Sequence, residues 1–195
     1  MRVFLALFLL AFSALAQVPS EPVKAGPWVR LEGCSLVPWE LNDGDSFKVR
    51  TASGEEFRAR LYFVDAPETS LEFPDRVAEQ AEEMGVSVPR ALELAGEATA
   101  FTRKTLGKPF TVHTRWRLGG GHGTRWAVMI HTSEGKWLCE EMVKAGLARV
   151  HGIRTPPPDE TGAEDSSAWL ARLAEVRRPV HLPASRHPST STNKP

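Results

Sequence analysis

The sequence predicts a mixed α+β fold, in which a five-stranded Greek-key β-barrel of the OB type is flanked by helices. Short stretches of alternating apolar and polar residues are typical of half-buried strands. Longer stretches carry apolar residues at helical spacing. The two kinds follow one another in the order β-β-β-α-β-β-α, which is that of a small OB-type barrel with packed helices. At 195 residues the chain can hold one such domain plus tails.

The first three strands are predicted as a meander. Residues 28–39 (WVRLEGCSLVPW) form the first candidate, residues 46–52 (SFKVRTA) alternate apolar and polar side chains, and residues 57–64 (FRARLYFV) run back. The stretches NDGD and SGEE between them are rich in turn-forming residues. Two adjacent antiparallel pairs are therefore expected.

The rest of the domain is predicted to contain helices around two further strands. Residues 73–85 and 88–107 read as helices that stop at Gly85 and Gly107. The remaining elements are strands at 109–118 and 124–132, joined by the loop GGGHG, a short amphipathic helix within 138–150, and a last helix at 166–178. Together these segments complete the barrel and cover it.

The first 16 residues are predicted to be a secretory signal peptide. Arg2 supplies a positive start, an apolar run follows, and Ala14-Leu15-Ala16 matches the small-x-small cleavage pattern. The apolar run is too short to cross a bilayer. We therefore expect an exported protein, periplasmic or secreted, that is monomeric and has no membrane association after cleavage near Gln17.

The domain boundaries follow from composition. Residues 17–27 are a Pro-rich linker, and residues 28–152 are the barrel domain. Residues 153–178 contain a Pro-rich loop and the C-terminal helix, and residues 179–195 lack periodicity and are expected to be disordered.

The charge balance and the two cysteines place only broad limits on the function. The 24 basic and 24 acidic residues balance, which argues against a broadly basic nucleic-acid-binding domain and leaves room for a local basic cleft. Cys34 and Cys139 occur in a chain expected in an oxidising compartment. One disulfide and two separate buried thiols both remain open.

The segment LYFVDAPETS places two acids directly after a predicted strand. Alternation would put Asp65 on the same side as Leu61 and Phe63 if the strand continued. Pro67 ends the pairing near Asp65, because proline lacks an amide donor and restricts the residue before it. Asp65 and Glu68 are therefore expected at the rim of the barrel.

The residue types in this region suit phosphodiester chemistry. Asp45 and Asp65 are hard carboxylates that fit an oxygen-seeking cation such as calcium. Glu68 is placed to orient or deprotonate a water molecule, and Arg60 offers a planar fork that matches phosphate oxygens. The simpler alternatives are a plain turn for NDGD and a surface ion pair for Arg60.

Four stretches resemble the staphylococcal nuclease (thermonuclease) family. They are NDGDSFKV, FRARLYFVDAPET, GEATAFTRKTL and LCEEMVKAGLARV, which occur in the family's order within residues 28–152. The resemblance implies an OB-type fold and a calcium-dependent endonuclease that hydrolyses phosphodiester bonds of DNA, RNA or both.

The resemblance also implies a metal site. By position, Asp45 and Asp65 would bind Ca²⁺ together with the backbone carbonyl of Ala66. Asp43 would lie in the surrounding shell of that metal. Calcium is accordingly the expected cofactor, and nucleic acid the expected partner.

The catalytic residues that the resemblance implies are Arg60, Glu68 and Arg125. Arg60 and Arg125 would bind the phosphate and its transition state, and Glu68 would be the general base. The chain departs from the family pattern before Arg125, where Gly123 and Thr124 replace an aromatic residue and a glycine. A shift of one residue would place Thr124 at the arginine position.

Two other functions fit parts of the sequence. An OB-type barrel that binds nucleic acid without cleaving it would explain the neutral charge and the GGGHGTR loop. A structural or envelope-associated domain would use the Pro-rich loop and tail for partners. Calcium-dependent cleavage, nucleic-acid binding in chelator, or neither, would distinguish the three.

Overall fold

A computed structural model of the protein describes residues 17–19, 28–119, 123–151 and 166–177. Its centre is a closed five-stranded barrel of mixed strand direction, and a separate two-stranded sheet lies beside it. The barrel strands are β1 (Val29–Leu36), β2 (Ser46–Arg50), β3 (Glu56–Leu61), β5 (Phe110–Leu118) and β6 (Trp126–His131). The two-stranded sheet contains β4 (Val64–Asp65) and β7 (Arg149–Val150).

Strand pairing closes the barrel in the order β1-β2-β3-β6-β5. The predicted meander is confirmed, because β1 pairs with β2 and β2 with β3, both antiparallel. β6 then pairs parallel to β3, with Ala127 opposite Arg60, and antiparallel to β5. The predicted class is confirmed as an OB-like α+β barrel with helices around it.

Alternation along β2 and β3 divides their side chains between the core and the outer face. Phe47 and Val49 of β2 point inward and are fully buried, and the alternate residues of β3 do the same. Each fully buried apolar side chain of this size stabilises the fold by roughly 1.5–3 kcal/mol. Trp116 and Trp126 pack edge-to-face in the same core.

In the part of the chain that the structure describes, four helices cover the barrel: α1 (Pro74–Met84), α2 (Val88–Thr105), α3 (Leu138–Lys144) and α4 (Ser166–Val176). α1 ends at Gly85, which adopts the left-handed conformation that favours glycine, as the sequence predicted. The hydroxyl of Ser87 caps α2 by accepting the amide of Arg90. α2 ends at Thr105, two residues before the predicted Gly107.

The chain leaves β3 at Leu61, earlier than the sequence predicted. Phe63 has a φ of +67°, so the backbone turns and the period-two alternation is lost. Tyr62, Phe63 and Val64 are consequently all buried. Val64 and Asp65 then pair with β7 instead of continuing along the barrel.

Both cysteines are free thiols buried in the core. Of the two alternatives that the sequence left open, the structure therefore has the separate thiols. Burial raises the pKa of Cys34 to about 11 and that of Cys139 to about 12. Neither thiol is thus poised to react as a thiolate near neutral pH.

Several predicted segments fall outside the described residues. These are the signal peptide at 1–16, most of the linker, the loop residues 152–165 and the tail from 178 onward. The last helix begins at Ser166, as predicted. Within the described ranges, no helix combines the length and apolar character needed to cross a bilayer.

Candidate active site at the end of β3

The turn before β2 is built by its own polar side chains. Oδ1 of Asp43 accepts the backbone amides of Asp45 and Ser46, at 3.0 and 2.6 Å. Asn42 braces the other side by donating to the carbonyl of Val37 and accepting the amide of Lys48. The NDGD stretch is therefore a structured turn, and it directs Asp45 into the interior.

Gly44 in this turn is required by packing. A Cβ atom added to Gly44 would lie 2.8 Å from the Cβ atoms of both Ala66 and Ala98. No side chain fits at those separations. The glycine therefore lets the turn pack directly against helix α2 and against the segment that follows Asp65.

Arg60 joins the two acids that the sequence selected. Its Nη1 donates to Oδ1 of Asp45 and its Nη2 to Oδ1 of Asp65, each over 2.5 Å. Oδ2 of Asp45 accepts the amide of Ala66 at 2.6 Å. Asp45, Asp65, Arg60 and Ala66 are thus brought together as predicted. The acids lie where β3 ends, but Asp45 and Asp65 are buried instead of exposed at the rim.

Asp65 is held by more cations than the sequence indicated. Arg76 of α1 donates to its Oδ1 over 2.7 Å, and Arg149 of β7 donates to its Oδ2 over 3.0 Å. Arg149 is itself buried and also pairs with Glu79 and Glu83. Three arginines therefore surround one carboxylate.

Glu68 lies in contact with helix α1. Its Oε1 accepts Nε of Arg76 over 2.5 Å, and its backbone amide donates to Oε1 of Gln80 over 2.9 Å. The side chain is one-third exposed, unlike the buried carboxylates of Asp45 and Asp65. In the structure its carboxylate is engaged by Arg76.

Gln80 is a site residue that the sequence reasoning missed. It is 1% exposed, and its Nε2 donates both to Oδ2 of Asp65 and to the carbonyl of Ala66, over 2.8 and 3.1 Å. A polar residue at Gln80 within the apolar spacing of Val77, Ala81 and Met84 was the available signal. Buried amides require partners, and these partners are the expected metal-binding segment.

Arg125 reaches the site through Ser46. Its Nη1 donates to the hydroxyl of Ser46 over 3.0 Å, and Nη1 of Arg60 lies 3.4 Å from the same oxygen. The Ser46 hydroxyl donates in turn to Asp45. The structure therefore brings Arg125 beside Arg60 at the Ser46 hydroxyl.

The pKa values of the buried acids Asp45 and Asp65 shift in opposite directions. Burial raises the pKa of Asp45 to about 8, because the ion pair with Arg60 is opposed by repulsion from Asp43 and Asp65. Burial also favours a raised pKa at Asp65, but Arg60, Gln80 and further arginines outweigh it and lower that pKa. Three arginine side chains thus lower the pKa of Asp65, whereas Arg60 is the cation that acts on Asp45.

The pKa values of Arg60 and Arg125 also shift in opposite directions. Burial alone would lower the pKa of Arg60, yet Asp45 and Asp65 raise it overall. For Arg125, burial lowers the pKa and the nearby cations Arg60 and Arg58 lower it further. Two further cations therefore lie close to Arg125 next to the site, and clustered cations favour binding of an anion.

The donor chemistry of this segment fits calcium. Asp45, Asp65 and the carbonyl of Ala66 offer hard oxygen atoms, and the charge of Asp43 and Asp45 is only partly balanced by Arg60. Their oxygen atoms currently accept protein donors. In the described ranges, no group of three or more His, Cys, Asp or Glu side chains is arranged to hold a metal; the expected set contains only two carboxylates.

Comparison with known proteins adds no family assignment. A scan against protein-family models gives no match, and a search of curated proteins finds no similar sequence. The resemblance to the staphylococcal nuclease family therefore rests on the four sequence motifs.

Proposed function

We propose that this protein is a calcium-dependent phosphodiester hydrolase that acts as an endonuclease on DNA, RNA or both. One observation carries the proposal: Arg60 and Arg125 converge on the hydroxyl of Ser46 directly beside Asp45. Two arginines next to buried carboxylates form a set that can bind a phosphate and stabilise negative charge on it. The predicted export would place this activity in the periplasm or outside the cell.

The residues divide the reaction between them. Glu68 accepts the proton of the attacking water, after its carboxylate leaves Arg76. Arg60 and Arg125 bind the phosphate oxygens and stabilise the extra charge of the five-coordinate transition state. Calcium bound by Asp45, Asp65 and the Ala66 carbonyl would supply electrostatic neutralisation of a phosphate oxygen.

Arg60 already has partners that compete with a substrate. In the structure its two Nη atoms donate to Asp45 and Asp65, which engages two of the five N–H donors that a guanidinium offers to phosphate. Binding of a cation by the two carboxylates would balance their charge without Arg60. The arginine would then be available to the substrate.

Cleavage of plasmid and single-stranded DNA tests the proposal. The mature protein is compared with calcium and with chelator, beside the Glu68→Gln and Arg60→Ala variants. We expect calcium-dependent cleavage that falls at least about a hundredfold in each variant, the scale of losing one transition-state contact. Glu72→Gln is the matched control, because Glu72 is an exposed acid near Glu68. A loss below about fivefold would contradict the mechanism.

A nucleic-acid-binding module without catalysis is the second candidate. The observation that favours it is the ion pair between Glu68 and Arg76, because this pair engages the carboxylate that would act as the general base. Such a module would retard nucleic acid in chelator and leave it intact with calcium. A structural or envelope-associated domain would neither retard nor cleave nucleic acid, so a gel-retardation measurement in chelator beside the cleavage assay separates all three functions.

A further inference from the structure

The outer face of β2 and β3 continues directly from the candidate site. Residues of the two strands pair in three rungs on the side opposite the core residues Phe47 and Val49: the buried Ser46 with Arg60, Lys48 with Arg58, and Arg50 with Glu56. Four of these six side chains are cationic and one is acidic. Consecutive rungs lie about 6.6 Å apart, because a strand rises about 3.3 Å per residue. The second rung is therefore one short step from Arg60.

The second rung carries positive charge that the protein balances only in part. Arg58 forms no salt bridge within the described part of the chain, and its buried Nε lacks a hydrogen-bond partner there. Lys48 approaches Glu56 at 3.5 Å, but Glu56 pairs more closely with Arg50, at 2.6 Å. Two like charges placed opposite each other on paired strands are unfavourable on their own.

An aromatic side chain holds these two cations in place. Nζ of Lys48 and Cζ of Arg58 each lie 5.1 Å from the centre of the half-buried Trp39 ring. Cation–π contacts of this length are favourable and directional. Trp39 precedes the NDGD turn, so the same loop that places Asp45 also positions both cations.

We propose that Lys48, Arg58 and Trp39 form a phosphate-binding surface for the nucleic-acid strand that extends from the Arg60–Arg125 end of the site. This inference rests on the proposed function and specifies where the substrate lies. Lys48 and Arg58 bind the backbone phosphate beyond the scissile one, and Trp39 keeps their side chains extended on the face. A phosphate of the bound strand would lie between the two cations, and its negative charge would reduce the repulsion between Lys48 and Arg58.

Salt dependence of binding tests the surface separately from catalysis. A labelled single-stranded oligonucleotide is titrated with the protein in chelator at several salt concentrations. Each phosphate contact contributes about 0.7 to the slope of log affinity against log salt. We expect Arg58→Gln and Lys48→Gln each to lower the slope by about 0.7 and to weaken binding equally for all sequences.

Three further variants make the result decisive. Arg58→Lys keeps the charge and should retain the slope, which excludes misfolding as the cause. Arg103→Gln removes one positive charge from the C-terminal turn of α2 and should change nothing. Trp39→Leu should weaken binding because the two cations lose their support.

The outcomes separate this inference from the proposed function. Unchanged slopes in both Gln variants would overturn the surface, even if the protein cleaves DNA. Absence of oligonucleotide binding at low salt would also overturn it. Reduced slopes without any calcium-dependent cleavage would support the surface and contradict the nuclease.

Discussion

The side-chain amide of Gln80 donates to Oδ2 of Asp65 over 2.8 Å, and both side chains are buried. The same amide group donates to the carbonyl of Ala66 and accepts the amide of Glu68. The partners fix which end of the amide is nitrogen, since two are acceptors and one is a donor. One side chain from α1 therefore holds the whole segment from Asp65 to Glu68.

Gln80→Leu should loosen this segment. The substitution keeps a similar volume and removes three hydrogen bonds, which leaves buried polar groups unsatisfied at about 1–3 kcal/mol for each. We expect the free energy of unfolding in urea to fall by roughly 2 kcal/mol or more. Glu82→Leu, at an exposed position of the same helix, is the control. Equal stability of the two variants would show that Gln80 does not hold the segment.

Arg76→Ala should strengthen calcium binding. Arg76 donates to both Asp65 and Glu68, so its charge opposes a cation bound nearby. Removing one positive charge several ångströms from the cation site should raise affinity about tenfold. Isothermal titration with calcium measures this. Arg90→Ala, which removes a charge paired with Glu93 and Glu97 on α2, should leave the affinity unchanged. Weaker binding in Arg76→Ala would mean that Arg76 supports the site.

The barrel and the site residues Asp45, Arg60 and Asp65 could be predicted from the sequence for the same reason. Local patterns define strands and helices, and Asp45, Arg60 and Asp65 lie next to pattern breaks that are visible in the sequence. The early turn at Phe63, which has a φ of +67°, was not visible in the sequence. A bulky residue in that conformation has no local signal.

The missed partners of Asp65 come from distant parts of the chain. Arg149 is separated from Asp65 by 84 positions and Gln80 by 15. No sequence pattern indicates that either residue contacts Asp65. Long-range pairing of this kind depends on how α1 and β7 pack against the barrel. The sequence predicted the helix at 73–85, and the apolar spacing around Gln80 marked its inward face, but the partner of Gln80 became identifiable only with the fold.

Gly44→Ala should disrupt the site without changing its chemistry. The new Cβ would come within 2.8 Å of Ala66 and Ala98, so the turn would be pushed away from both. Overpacking of this kind costs about 1–3 kcal/mol. We expect lower stability in urea and weaker calcium binding, because Ala66 belongs to the expected ligand set.

Gly96→Ala is the matched control for this substitution. Gly96 lies within helix α2, and a Cβ there would meet nothing within 4 Å. Alanine in a helix interior is more favourable than glycine by up to about 1 kcal/mol. The control should therefore be slightly more stable than the original protein. A Gly44→Ala variant that matched it would show that the turn is not tightly packed.

Stability without calcium should fall as the pH rises from about 4 to about 8. The pKa of Asp45 is about 8 in the folded protein, against about 3.9 in an unfolded chain. Between these values the folded state holds a proton that the unfolded state has lost, so raising the pH favours unfolding. Asp65 has the opposite, lowered pKa, and its contribution is lost only below this window.

Urea unfolding in chelator at pH 5, 6.5 and 8 measures the effect (all three values lie within the stated window). We expect the original protein to lose stability across the series and Asp45→Asn to lose much less, because the amide does not titrate. Asp75→Asn, at an exposed position in the first turn of α1, should keep the original slope. Calcium should restore stability most at pH 8, since the ionised carboxylate is the form that binds a cation. Identical slopes in the original protein and Asp45→Asn would show that Asp45 is ionised throughout.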